Sequence, residues 1–262
     1  MGSSATSERS TPSSPCALCL HGITANAHVF EPVAELLASR FRVVSIDQRG
    51  HGRGPKPLAG YAGDDYARDI SEMIQEKTLL IGHSLGARNA LLAGARYPEK
   101  ITAVVAIDFT PYIETDVFDA LDVRVGGGDR SFASPEEIRS YLSNRYPRLP
   151  QDAIARRAKH GYQHLNGEWR PLASPAAMRE TCAGLREDLS GIVRQIRVPV
   201  LLIRGAESRL VSREAWAKTR ELRPDLPAIQ IAGADHYVHE EQPAAVAAAV
   251  LEFWDSIERR KR

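Results

Sequence analysis

The segment Thr78-Leu79-Leu80-Ile81-Gly82-His83-Ser84-Leu85-Gly86 constrains the fold of this chain more than any other. Its first four residues read as a short buried strand, and Ala87 to Tyr97 reads as a helix. Between them, Gly82-His83-Ser84-Leu85-Gly86 fits G-x-S-x-G, a sharp strand-to-helix turn that lifts a serine hydroxyl above a sheet edge. The glycines permit the turn. The helix N-terminus behind it offers backbone N–H groups to a developing anion. A turn of this kind needs a sheet to carry the strand and helices to cover it.

The remaining pattern supplies both. Ala17 to Leu20, Arg42 to Ile46, Ile101 to Ile107, Val198 to Ile203 and Ala228 to Ile231 read as further strands. Glu31 to Ser39, Asp65 to Gln75 and Pro243 to Ile257 read as helices. Strand–helix alternation with continuously apolar strands predicts an α/β fold: a mostly parallel sheet flanked by helices, with ligands bound outside the carboxyl ends of the strands. Thr115 to Gly191 breaks the rhythm. It is polar, Arg-rich and punctuated by Gly126-Gly127-Gly128 and several prolines. This predicts a helical cap over 115–191, inserted into a core of 16–114 and 192–262. A chain of 262 residues, 43% hydrophobic, is long enough to bury such a core.

Other classes are disfavoured. A net charge of +1 gives no electrostatic footprint for nucleic acid. No apolar run approaches the ~20 residues that span a membrane. Residues 1–15 are rich in Ser, Thr and Pro and lack the apolar centre of a secretory signal, so they read as a disordered tail. Three cysteines make no disulfide framework. Cys16 and Cys19 lie in a predicted strand and alternate to opposite faces, so they read as core residues. No metal is expected, and the expected compartment is the cytoplasm.

A serine hydroxyl needs a base to become a nucleophile. Of eight histidines, His236 follows the last strand through Gly233-Ala234-Asp235, where the order Ser…Asp/Glu…His puts the base. His83 is adjacent to Ser84 and wrongly directed to serve it. His28, His160, His164 and His239 read as surface or cap residues. Three acids can orient His236. Asp108 ends the strand after the elbow, one strand spacing away, and is the first choice. Glu207 follows the penultimate strand in Gly205-Ala206-Glu207-Ser208, where Ser208 occupies a position common for the acid. Asp235 is adjacent to His236 and poorly placed to meet its ring. The oxyanion donors are expected to be the backbone N–H groups of Leu85 and of Ile23, in His21-Gly22-Ile23.

With these residues in hand, the chain resembles the α/β-hydrolase fold family. The resemblance rests on His21-Gly22-Ile23-Thr24, Asp47-Gln48-Arg49-Gly50-His51-Gly52, the elbow, and Gly233-Ala234-Asp235-His236. Gly86-Ala87-Arg88-Asn89, Ala106-Ile107-Asp108-Phe109-Thr110-Pro111-Tyr112-Ile113-Glu114, Arg170-Pro171-Leu172-Ala173-Ser174 and Leu222-Arg223-Pro224-Asp225-Leu226-Pro227 resemble its 2-(acetamidomethylene)succinate hydrolases, of bacterial vitamin B6 degradation. That resemblance implies Ser84, His236 and Asp108 as a triad and no cofactor. It also implies substrate-binding roles for Arg124, Arg145, Tyr146 and Ser208. Arg offers planar, bidentate pairing to each carboxylate of a dicarboxylate substrate. The family begins with two antiparallel strands that this chain lacks, which predicts an open sheet edge. The stretch from Asp69 to Gly82 is about one helical turn short of the family's, which bears on where the elbow sits.

The function expected is amide hydrolysis of a small dicarboxylate enamide. Two rivals remain: another cofactor-free hydrolase of esters, lactones or C–C bonds, and a non-catalytic receptor on the same fold. The expected partner is the small substrate alone, with no nucleic acid or membrane; a homodimer stays open beside the monomer.

Overall fold

Short β-branched runs separated by amphipathic segments fold here into a central sheet with helices on both faces. The computed structural model of the chain describes residues 5–6, 14–112 and 114–261. Its sheet comprises β1 (Ala5–Thr6), β2 (Cys16–Leu20), β3 (Arg42–Ile46), β4 (Thr78–His83), β5 (Ile101–Ile107), β8 (Val200–Gly205) and β9 (Ala228–Ile231). Their order is β1-β3-β2-β4-β5-β8-β9. Every pairing except β1 with β3 is parallel.

Alternation along the strands divides the core. Ala17, Cys19, Leu79, Ile81, Val105 and Ile107 face one side and pack against α1 (Glu31–Leu37) and α11 (Pro243–Lys261). Leu18, Leu20, Leu80, Val104, Ala106 and Leu202 face the other. There they meet α2 (Gly63–Met73), α3 (Leu85–Arg96) and α9 (Arg213–Leu222). Each large apolar side chain buried in these layers contributes about 1.5–3 kcal/mol. The two cysteines of C-x-x-C are buried and free. The register of β4 against β2 and β5 carries the elbow to the carboxyl end of the sheet.

Three expectations are corrected. The β3 edge is not bare: Ala5 pairs with Ser45 and Thr6 with Val44 in antiparallel sense. Part of the expected tail is therefore a strand, and residues 1–4 and 7–13 lie outside the described residues. The cap is not wholly helical. Beside α4 (Thr115–Gly126), α5 (Pro135–Arg145), α6 (Gln151–His160) and α7 (Pro175–Gly184), it holds a hairpin of β6 (Tyr162–Leu165) and β7 (Glu168–Pro171). That hairpin turns on Asn166-Gly167, both at positive φ, the pair a two-residue type I′ turn demands. The chain re-enters the core through Leu189 and through Val193 of α8 (Ser190–Gln195), which join the sheet's apolar layer.

Candidate active site

Ser84 stands at φ 52°, ψ −115° between β4 and α3. A non-glycine residue pays about 1–3 kcal/mol for such a backbone and keeps it only where the surroundings over-determine it. They do so here. A Cβ on Gly82 would lie 2.3 Å from the Gly86 carbonyl oxygen. A Cβ on Gly86 would lie 2.0 Å from the Leu20 carbonyl oxygen. The turn can close only on glycine at both positions.

The neighbouring strand ends converge on this turn. Asp108, at the tip of β5, is fully buried and also at positive φ. Its carboxylate accepts hydrogen bonds from Ser208 Oγ (2.7 Å), the Gly205 N–H (2.9 Å) and His236 Nδ1 (2.7 Å). His236 sits in the loop after β9, before the short helix α10 (Val238–Glu241). Its carbonyl accepts from His83 Nε2 at 2.8 Å, which ties the histidine loop to the elbow. Ser84 Oγ and His236 Nε2 are not hydrogen-bonded in this structure. Such contacts often tighten only once substrate is bound.

Burial, more than any charge, pushes the His236 imidazole down to about 3, and Arg124 adds to the effect. Burial likewise raises the Asp108 carboxyl, while the Ser208 and Gly205 donors oppose it. Three donors on one carboxylate favour its ionised form. The resting pair is thus a carboxylate and a neutral imidazole with its proton on Nδ1, and Nε2 is left as a free base.

The other acids lie apart from this pair. Glu207 Oε2 meets Arg148 at 2.6 Å near the surface, and Asp235 accepts from the Arg209 N–H. Ser208 was expected among the substrate contacts. Its hydroxyl donates to Asp108 and accepts from the Val211 N–H, so in this structure it is engaged with the acid. The His21-Gly22-Ile23 turn lies against the elbow, with a Gly22 Cβ position 3.4 Å from Ser84 Cβ. Gln48 braces it by donating its N–H to His21 Nε2 and its amide to the His21 carbonyl. The Ile23 and Leu85 N–H groups have no acceptor among the described residues.

Above the strand ends, Arg145 Nε donates to Tyr146 Oη at 3.0 Å, and a second guanidinium nitrogen donates to the Arg124 carbonyl. Neither Arg124 nor Arg145 pairs with a carboxylate among the described residues. Arg145 and Tyr146 line the cavity between the cap and the Thr24–Asn26 loop. Ser84 and Asp108 border a smaller one with Phe109, Leu121 and Leu210. Donor chemistry, not cavity size, marks the reacting end.

Sequence reasoning missed Arg157, Glu240 and Tyr237. Arg157 is buried on α6, makes a bidentate pair with Glu240, and lies 4.8 and 4.7 Å from the ring centroids of Tyr146 and Tyr237. Its signal was an arginine on the helix face that also carries Ala153, Ile154 and Ala158. His239, expected at the surface, is fully buried.

Fold and site together define a serine-hydrolase arrangement, and the chain belongs to the alpha/beta hydrolase family, whose profile matches residues 17–249. It is similar to the 2-(acetamidomethylene)succinate hydrolase of Mesorhizobium japonicum, with 49% identity over 95% of this chain and 91% of that one. A crystal structure of E-2-(acetamidomethylene)succinate hydrolase superposes with a TM-score of 0.92 at 46% identity, covering 97% of this chain and all of that one. The esterase YbfF of Escherichia coli is 27% identical over 95% of this chain and 96% of its own. The chain is therefore a hydrolase, acting on a small molecule. Among the described residues, no helix is long and apolar enough to cross a membrane.

Proposed function

We propose that this enzyme hydrolyses the enamide bond of 2-(acetamidomethylene)succinate. The observation that carries the reading is the pairing of a buried Asp108–His236 couple beside Ser84 with two guanidiniums, Arg124 and Arg145, that no carboxylate among the described residues neutralises. A substrate with two carboxylates supplies the missing partners. The 49% identity to the Mesorhizobium enzyme supports the same substrate.

In this reading Ser84 Oγ attacks the acetyl carbonyl while His236 Nε2 takes its proton. Asp108 holds the imidazole and stabilises its cation. The Ile23 and Leu85 N–H groups receive the oxyanion. His236 then protonates the leaving nitrogen, and water releases acetate from the acyl-enzyme. The freed enamine tautomerises to an imine, and water expels ammonia to leave an aldehyde. That aldehyde lies β to a carboxylate, so carbon dioxide departs and succinate semialdehyde remains. Every step uses water and side chains of the chain, without a cofactor. The cap of 115–191 acts as the specificity element. Three free, buried cysteines suit a cytoplasmic enzyme.

The test is release of acetate and ammonia, one of each per enamide consumed, by the wild type and by Ser84→Ala. The variant should fold and lose several orders of magnitude in turnover. It should also lose labelling by a fluorophosphonate. Retained turnover in Ser84→Ala removes the nucleophile assignment. A wild type that cleaves p-nitrophenyl acetate but not the enamide removes the substrate assignment and favours an esterase.

A further inference from the structure

Away from the reacting centre, one cluster of ligating side chains joins core to cap. His28 lies in the 3₁₀ helix Ala27–Phe30, Glu31 opens α1, and His160 ends α6. His28 Nδ1 and Glu31 Oε1 are 2.5 Å apart. The imidazoles of His28 and His160 stack, with centroids 3.6 Å apart and planes 15° from parallel. One donor atom from each of the three residues falls within 4.8 Å of the others. All three residues are partly exposed, so solvent reaches the cluster.

We propose that His28, Glu31 and His160 bind a divalent transition metal of the zinc class and so staple the cap helix α6 to the core. The donor set decides the class. Two imidazoles and one carboxylate suit zinc, whereas calcium and magnesium require oxygen donors. A tetrahedral zinc with ~2.0–2.2 Å bonds holds its donors ~3.4 Å apart. Rotation of the half-exposed side chains, unstacking the rings, closes the widest gap by up to ~1.4 Å and opens the His28–Glu31 contact by ~0.9 Å. Lys159 and Arg156 oppose a cation, but Glu31 adds a negative charge and Arg156 is paired with Asp152 at 3.4 Å.

The position gives the metal a consequence. Asn26 caps the 3₁₀ helix by accepting the His28 N–H at 3.0 Å, and Asn26, Arg157 and Gly161 line the cavity under the cap. Ligands drawn from both sides of this seam come together only when α6 is docked. Binding free energy therefore becomes free energy of cap closure.

The experiment titrates chelator-treated, full-length enzyme with zinc chloride, reading stoichiometry by calorimetry and stability by thermal unfolding. One equivalent should bind and raise Tm by about 5 °C at saturation. His160→Ala should abolish both signals, and Glu31→Gln should weaken binding at least about 10-fold. His164→Ala removes an exposed imidazole of β6 and should bind as the wild type does. None of these residues belongs to the Ser84 site, so turnover without zinc should be unchanged in all three variants. Absence of binding to the wild type, or equal binding by His160→Ala, overturns the proposal.

Discussion

At the scale of single residues, the site is set by how its charges are partnered. Asp108 holds His236 Nδ1, and Glu207 is spent on Arg148. Asp108→Asn should therefore lower kcat by ~10⁴, the size of effect seen where a triad aspartate becomes an amide. Glu207→Gln should change kcat less than about 2-fold. Ser208→Ala removes one donor to the buried carboxylate and should cost ~10- to 100-fold through Asp108, with KM unchanged. A greater loss in Glu207→Gln than in Asp108→Asn would reverse the assignment of the acid. Arg124 makes a second, sharper test. Its charge lowers the His236 imidazole, so removing it makes the imidazolium easier to form. The acid limb of kcat/KM should lie below pH 6.5 in the wild type and move to higher pH in Arg124→Ala. The same variant should lose ~10- to 1000-fold on the dicarboxylate and little on p-nitrophenyl acetate. An unmoved acid limb together with an unmoved ratio of the two substrates would leave Arg124 an ordinary cap charge.

At the scale of elements, the strands and the turns between β-ends and helices were legible in the sequence because local chemistry dictates them. β3, β5 and β9 have the expected limits, and the elbow glycines are forced because a Cβ at either would lie 2.0 or 2.3 Å from a backbone carbonyl oxygen. The cap was less legible. Its hairpin was written in Asn166-Gly167, but no apolar alternation surrounds that pair; Gln163, His164, Leu165 and Glu168 are exposed. The docking of α6 was illegible for another reason. Arg157 and Glu240 are 83 residues apart, and only the fold brings them together. That pair predicts a measurable strut. Arg157→Ala leaves Glu240 buried and uncompensated, which should cost about 3–5 kcal/mol of stability in urea unfolding. It also removes the cation between Tyr146 and Tyr237, so kcat/KM for the dicarboxylate should fall further than for a neutral ester. A stability loss under about 1 kcal/mol would show that α6 docks without the pair.

At the scale of the whole molecule, the same burial that leaves His236 a free base makes the protein acid-sensitive. His21, His51, His83, His236 and His239 are all buried with imidazoles lowered from 6.5, in each case chiefly by burial. His51 Nε2 and both ring nitrogens of His239 have no hydrogen-bond partner among the described residues, and His83 and His239 lie with ring centroids 4.3 Å apart. The sign follows from linkage. Each imidazole has a lower pKa folded than unfolded, so its contribution is complete above 6.5 and is lost as pH falls toward the folded value. Asp108 and Glu241, raised by burial, act in the opposite sense. The buried imidazoles outnumber the raised carboxyls, so unfolding takes up protons below 6.5 and stability falls with pH there. Domains are typically stable by only about 5–15 kcal/mol. Tm should therefore be nearly flat from pH 8 to 7 and fall steeply between 6.5 and 5, before ordinary exposed carboxylates titrate. His51→Gln keeps a polar side chain but removes one titrating group, so it should shallow that slope by about one proton. A Tm that stays level to pH 5, or a slope unchanged in His51→Gln, would mean that these imidazoles take up protons without unfolding the core.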